Sequence, residues 1–268
     1  MCQSKRKTSQ EREMTDFTNH TGVALVIGGS GGIGSAICRL LADRGSNIAF
    51  TYNKNLDKAQ ALQKDIEKQK KLCISTSLNL TDQNEVHQFT NSLQEQGGIH
   101  SFIYAAGPNV PQMHLSKINP SQFAEHLHDE VNSFFVTVSS ALPQLRDHKG
   151  SITAVTSAAT NRFPIKDGLS ASPKAAIEVL IQGLAKEEGR YGIRANAVGP
   201  GMLTDGMAEN LIKNGEYSQN DLDTATANIP LKRYGNTADI AEAVCFLASP
   251  NANYISGQIL NVDGGYTA

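Results

Sequence analysis

Short apolar runs of strand length alternate along the chain with longer stretches in which apolar residues return every three or four positions. That alternation predicts repeated strand–helix units on a parallel sheet. Seven strands are expected, at Val23–Ile27, Ile48–Tyr52, Leu72–Leu78, Ser101–Ala105, Ser151–Thr156, Arg194–Val198 and Gln258–Val262. Helices are expected between them, among them Asp57–Gln69 and Gln83–Glu95, the second with Val86, Phe89 and Leu93 on one face. The fold class that follows is α/β, a Rossmann-type doubly wound parallel sheet of seven strands in a single domain over 21–268. Residues 1–20 read as a polar, disordered tail. The one long irregular stretch, near 202–228, is rich in Asn, Asp, Gly and Thr and reads as a lid.

Composition narrows the partners. The 268 residues are 40% hydrophobic and include 23 glycines, which suits one turn-rich α/β domain. A net charge of -2 provides no long-range attraction to nucleic acid or to an acidic membrane. The opening MCQSKRKTSQEREM lacks an apolar core, so neither a secretory signal nor a membrane span is expected there. Cys2, Cys38, Cys73 and Cys245 are far apart with no metal-binding spacing, which fits a reduced, cytoplasmic chain. His126 and His128 alternate on a predicted helix and read as a solvated pair, so no metal is expected.

The most specific signal is VALVIGGSGGIGSAICRLLADRG, a strand, a glycine turn and a helix in that order. Gly28, Gly32 and Gly34 allow the tight turn, the close approach of backbone to a pyrophosphate and close helix packing. The helix N-terminus adds free N–H groups and a positive dipole end. After the second strand the run FTYNKN has no carboxylate to bind a ribose 2′-hydroxyl. Tyr52 and Asn53 do not repel a 2′-phosphate and Lys54 can pair with it, so NADP is expected over NAD, with NAD still possible.

These motifs resemble those of the short-chain dehydrogenase/reductase family, over nearly the whole chain from Val23 onward. The family's TGxxxGxG is matched by Ile27 to Gly34 with Ile for Thr, its NNAG by Tyr104-Ala105-Ala106-Gly107, and its VDGG by Val262 to Gly265. The resemblance implies a small-molecule substrate, a homotetramer or dimer, and a cofactor held by five segments. These are Gly28, Ser30, Gly31, Gly32, Ile33 and Gly34; Tyr52, Asn53 and Lys54; Asn79 and Leu80; Ala105, Ala106 and Gly107; and Pro200, Gly201, Met202, Leu203 and Thr204. It places Asn132, Ser157 and Lys174 around the substrate, with Lys174 also on the ribose.

The family's proton-donating tyrosine falls on Ser170, four residues before Lys174 in LSASPKAA. An aliphatic hydroxyl is not usefully ionised, whereas a phenol beside an ammonium is. Ser170 and Lys174 can share a helix face, provided Pro173 sits in the first turn. The 2,4-dienoyl-CoA reductase branch is similar in carrying a serine here and takes its tyrosine from the end of the fifth strand, where this chain has Thr156. Tyr104 reads as a packing residue, and Tyr217 falls in the expected lid. The expectation is thus an NAD(P)H-dependent reductase of a carbonyl or conjugated enoyl group, perhaps a thioester. The alternatives are an inactive nucleotide-binding homologue and a non-redox isomerase or dehydratase.

Overall fold

The computed structural model describes residues 16–108, 110–205 and 219–268. Seven strands form one sheet: β1 Val23–Ile27, β2 Asn47–Tyr52, β3 Cys73–Ser77, β4 Ile99–Tyr104, β5 Ser151–Val155, β6 Arg194–Pro200 and β7 Ile259–Val262. Every pairing is parallel, and the order is β3-β2-β1-β4-β5-β6-β7. The helices are α1 Gly32–Asp43, α2 Leu56–Lys68, α3 Gln83–Ser92, α4 Pro120–Leu127, α5 Ser133–His148, α6 Gly168–Glu188, α7 Gln219–Asn228 and α8 Thr237–Ala248. All seven expected strands are present, displaced by no more than two residues at either end.

The side-chain alternation of β1 shows how the layers are built. Ala24 and Val26 face one way and pack with Ile37 and Leu41 of α1, Leu62 and Ile66 of α2, and Ile240 and Val244 of α8. Val23, Leu25 and Ile27 face the other way, onto Phe134, Val138 and Leu145 of α5 and Ile177 and Ile181 of α6. Both faces are therefore covered, which is why the strands read as apolar runs. The direction of winding reverses between β1 and β4, so a crevice opens beyond their carboxyl ends.

Two sequence expectations shift, and one feature is new. The packed chain reaches back before position 21, because Phe17 is buried and Asp16 pairs with Arg44 at 3.6 Å. Part of the expected lid, Gln219–Asn228, is helical, while 206–218, and Tyr217 with them, lie outside the described residues. Between α4 and α5 the helix widens into a π turn, His128–Asn132, a feature that often marks functional sites.

Candidate active site

Two adjoining cavities occupy the crevice. The outer one, about 730 Å³, is lined by Gly28, Ser30, Gly31, Tyr52, Asn53, Asn79 and Leu80, and also by Thr51, Ser77 and Glu85. The inner one, about 390 Å³, holds Gly32, Ile33, Ser157, Ser170, Lys174, and Pro200 to Leu203. Gly31 and the stretch Ala105, Ala106, Gly107 and Pro108 line both, so the two share a border.

The glycine turn is shaped by contact. Gly28 has φ +80°, and a Cβ there would lie 2.7 Å from the Ala106 Cα. A Cβ on Gly34 would lie 2.3 Å from the Gly28 carbonyl oxygen, so α1 can start flush against the turn only with glycine at that place. The Gly28 N–H donates to Thr51 Oγ1 at 3.0 Å. α1 begins with no side-chain cap and no acidic residue in its first turn. That leaves a positive, open helix end suited to a pyrophosphate. Lys54 is exposed and stands outside the lining that Tyr52 and Asn53 form. On the far wall the Asn79 side chain accepts from Thr81 N at 3.2 Å and Thr81 Oγ1 at 2.9 Å, and the Glu85 carboxylate accepts from Asn79 N at 3.3 Å. Glu85 thus brings an acid to a wall where the sequence shows only an asparagine.

In the inner cavity Lys174 is almost enclosed, its side chain 14% exposed. Its ammonium donates to Glu130 Oε1 at 2.5 Å, to the Val155 carbonyl at 3.2 Å and to the Ala106 carbonyl at 3.4 Å. All three of its hydrogens are therefore engaged. Glu130 is itself buried and lines the cavity; Asn132, two residues later, lines neither cavity. The carry-over to Asn132 thus meets a shift of register within the π turn, where Glu130 is the residue that faces Lys174.

Ser170 is the third residue of α6, and Pro173 the sixth. Pro173 therefore stands in the second turn and not the first, with no N–H to offer the Leu169 carbonyl. The α6 cap is Asp167, whose carbonyl receives Ser170 N at 3.1 Å and Ala171 N at 2.8 Å, so Ser170 is free of the capping role its residue type suggests. Ser157 Oγ accepts from Ala159 N at 3.1 Å, which leaves its own proton to donate. Tyr104 is buried, stacks edge-on against Phe134, and donates its hydroxyl to the Glu130 carbonyl at 3.2 Å. Burial first, then the Glu130 and Asp129 charges, hold its phenol well above the ordinary range. Thr156 lines the inner cavity but donates to the Val198 carbonyl at 3.3 Å.

Thr204 turns away, its N–H bonded to the Gly235 carbonyl at 3.0 Å, and Asp205 takes the place on the lining. The Asp205 carboxylate receives Thr237 N at 2.9 Å and Thr237 Oγ1 at 2.7 Å, anchoring this wall to α8. His126 of α4 also lines the inner cavity, half-buried, whereas His128 is exposed. The solvated pair expected from sequence is thus split.

A family described as enoyl-(acyl carrier protein) reductase matches residues 28–267. The chain belongs to the short-chain dehydrogenase/reductase family. Among curated relatives it is 31% identical to the 3-oxoacyl-(acyl-carrier-protein) reductase FabG of Staphylococcus epidermidis, over 90% of this chain and 97% of that protein. Among solved structures it resembles a blue fluorescent protein from a metagenomic library in complex with NADPH, at 30% identity and a TM-score of 0.84, covering 94% of this chain and 100% of that one. A short-chain dehydrogenase/reductase from Serratia marcescens matches with the same coverage at 28% identity and a TM-score of 0.84. The chain is accordingly a member of an oxidoreductase family with the family's single-domain, seven-stranded fold. No described helix is long and apolar enough to cross a membrane. Among the described residues no cluster of His, Cys, Asp and Glu could hold a metal ion.

Proposed function

We propose that this chain is an NADPH-linked reductase of a ketone or conjugated enoyl group, with an acyl thioester as the favoured substrate class. The observation that carries the reading is the pair of adjoining cavities, one of mixed polarity and built over a glycine turn, the other largely apolar with Lys174, Ser157 and Ser170 in its wall. A dinucleotide bound over the turn supplies a hydride. Gly28 to Gly34 and the open end of α1 hold its pyrophosphate; Tyr52, Asn53, Asn79 and Leu80 hold its adenosine half; Ala105 to Gly107 and Pro200 to Leu203 flank its other end.

No carboxylate follows β2, which favours the 2′-phosphate of NADP over NAD. Two solved relatives are complexes with NADPH and with NADP, in line with that preference. Curated relatives named for reducing 3-oxoacyl groups on carrier protein support the thioester. Ser170 stands in place of the family's tyrosine, a departure shared with the dienoyl-CoA reductase branch. The hydroxyls of Ser157 and Ser170 hold the substrate oxygen by hydrogen bonds as charge develops on it.

A second reading, a dinucleotide-binding protein without turnover, is favoured by one observation: the Lys174 ammonium has no hydrogen left to offer a ribose or a hydroxyl while Glu130 holds it. We also place the protein in the cytoplasm, where its buried thiols Cys38, Cys73 and Cys245 stay reduced. Self-association completes the proposal, supported by apolar side chains left exposed on α5, α6 and β7: Phe135 at 55%, Val179 at 66% and Leu260 at 41%.

Fluorescence titration with NADPH and NADH, followed by NADPH consumption on a panel of 3-oxoacyl and 2-enoyl thioesters, tests the reading. Saturable NADPH binding with turnover is expected. Binding without turnover selects the second reading, and absence of binding to either dinucleotide overturns both.

A further inference from the structure

We propose that His126 is the proton donor of this reaction, in place of the phenol that the chain lacks; the inference builds on the reductase reading. Four titratable side chains line the inner cavity: His126, Glu130, Lys174 and Asp205. Glu130 and Lys174 are bound to each other, and the Asp205 carboxylate is engaged by Thr237. His126 alone makes no hydrogen bond or ion pair among the described residues. It is half-buried near the end of α4, one turn ahead of Glu130, and lines the same cavity as Ser157 and Ser170.

The other hydroxyls cannot do its work. Serine and threonine orient an oxygen but do not release a proton near neutrality. The Tyr104 phenol is buried and committed to the Glu130 carbonyl. Imidazole, by contrast, is the side chain whose ordinary range straddles neutral pH, where a general acid is most effective.

The step balances as a two-electron reduction. A hydride reaches the carbonyl carbon and the C=O π pair takes the imidazolium proton. C–H and O–H bonds form, while the dihydronicotinamide C–H bond that delivers the hydride and the imidazolium N–H bond break. NADPH leaves as NADP⁺, and the neutral imidazole regains a proton from solvent. Ser157 and Ser170 hold the oxygen in line throughout.

The test uses the full chain, NADPH and the N-acetylcysteamine thioester of 3-oxobutanoate. In His126→Gln, kcat should fall about 100-fold or more, the loss typical of a missing general acid, while the NADPH Kd by fluorescence stays within about twofold. In His126→Ala, added imidazole should restore a saturable part of kcat without changing KM, a rescue that a purely structural role would not show. A thermal melt confirms that each variant is folded. Wild-type turnover retained in His126→Gln, or no rescue of a folded His126→Ala, overturns the role of His126 and leaves the reductase reading intact. A wild type that binds NADPH but turns over nothing on the panel overturns the reductase reading and this proposal with it.

Discussion

If Glu130 is what keeps Lys174 from acting on a neighbouring hydroxyl, then restoring a phenol at position 170 should do little until Glu130 is also removed. The introduced hydroxyl in Ser170→Tyr would stand one helical turn from the ammonium, at a separation of about 4 Å. At an effective dielectric near 20 a unit charge at that distance is worth about 4 kcal/mol, or about 3 pK units of phenol acidification. The Glu130 carboxylate lies 2.5 Å from the ammonium, and with the pair taken in line with the phenol the two distances add. At about 6.5 Å from the phenol it takes back about 2.6 kcal/mol by the same formula, leaving about 1 pK unit. Ser170→Tyr alone should therefore raise ketone reduction only modestly. In a Glu130→Asn background the same substitution should raise it by up to about 80-fold more, the rate equivalent of about 2.6 kcal/mol. The assay is a double-mutant cycle on kcat/KM for the 3-oxobutanoyl thioester. Glu130→Asn removes one partner of a buried pair, which typically costs about 3–5 kcal/mol of stability, so each member of the cycle is first checked by its thermal melt. If the tyrosine brings the same gain with and without Glu130, the ion pair does not govern the ammonium's field and the reasoning is refuted.

Two further outcomes are expected elsewhere in the molecule. Burial first, then the neighbouring His20 and His148, depresses the His100 imidazole to about 3, and Ser46 and Ser101 bracket its nitrogens at 3.1 Å and 3.0 Å. The folded protein therefore holds His100 neutral while the unfolded chain protonates it below about 6.5. The associated stability is complete above that pH and is lost on acidification toward 3, at about 1.4 kcal/mol per unit, or about 2 kcal/mol at pH 5. Urea midpoints at pH 7.5 and 5.0 should show that loss in the wild type and a smaller one in His100→Gln; equal losses would exclude His100 as the cause. In Gly34→Ala the new methyl meets the Gly28 carbonyl oxygen at 2.3 Å and must push α1 off the turn. NADPH titration should show at least a tenfold weaker Kd with the circular dichroism spectrum kept, and unchanged affinity would show that the turn does not hold the dinucleotide.

The sheet and the glycine turn were legible because each depends on local rules. A parallel strand covered on both faces is a run of apolar residues wherever it occurs, and a strand, a glycine turn and a helix in that order keep their meaning without knowledge of the rest of the chain. Ser157 and Lys174 were singled out by the family resemblance and not by a local rule, and both line the inner cavity. What failed was register inside irregular backbone. Asn132 was expected at the site, but the π turn His128–Asn132 departs from the 3.6-residue period and presents Glu130. One residue of slip after β6 likewise sends Thr204 to Gly235 and Asp205 to the lining. The histidine pair was read as solvated because alternate positions on a helix face apart, which is true of His128 and still leaves His126 on the cavity wall.

The departures at 130 and 170 make physical sense together. An enclosed ammonium that serves a phenol can donate to that phenol's oxygen; once the phenol is replaced by serine, the same ammonium sits in a cavity with only two carbonyl oxygens to satisfy it. Burying a charge on neutral partners alone is costly, and a carboxylate at 2.5 Å removes that cost at the expense of the cation's reach. Glu130 thus neutralises the buried charge while stripping Lys174 of its electrostatic role. On the proposed reaction the proton then comes from another side chain that lines the same cavity. On that argument the carboxylate and the imidazole are two halves of one rearrangement, in which the acid has moved from α6 to α4.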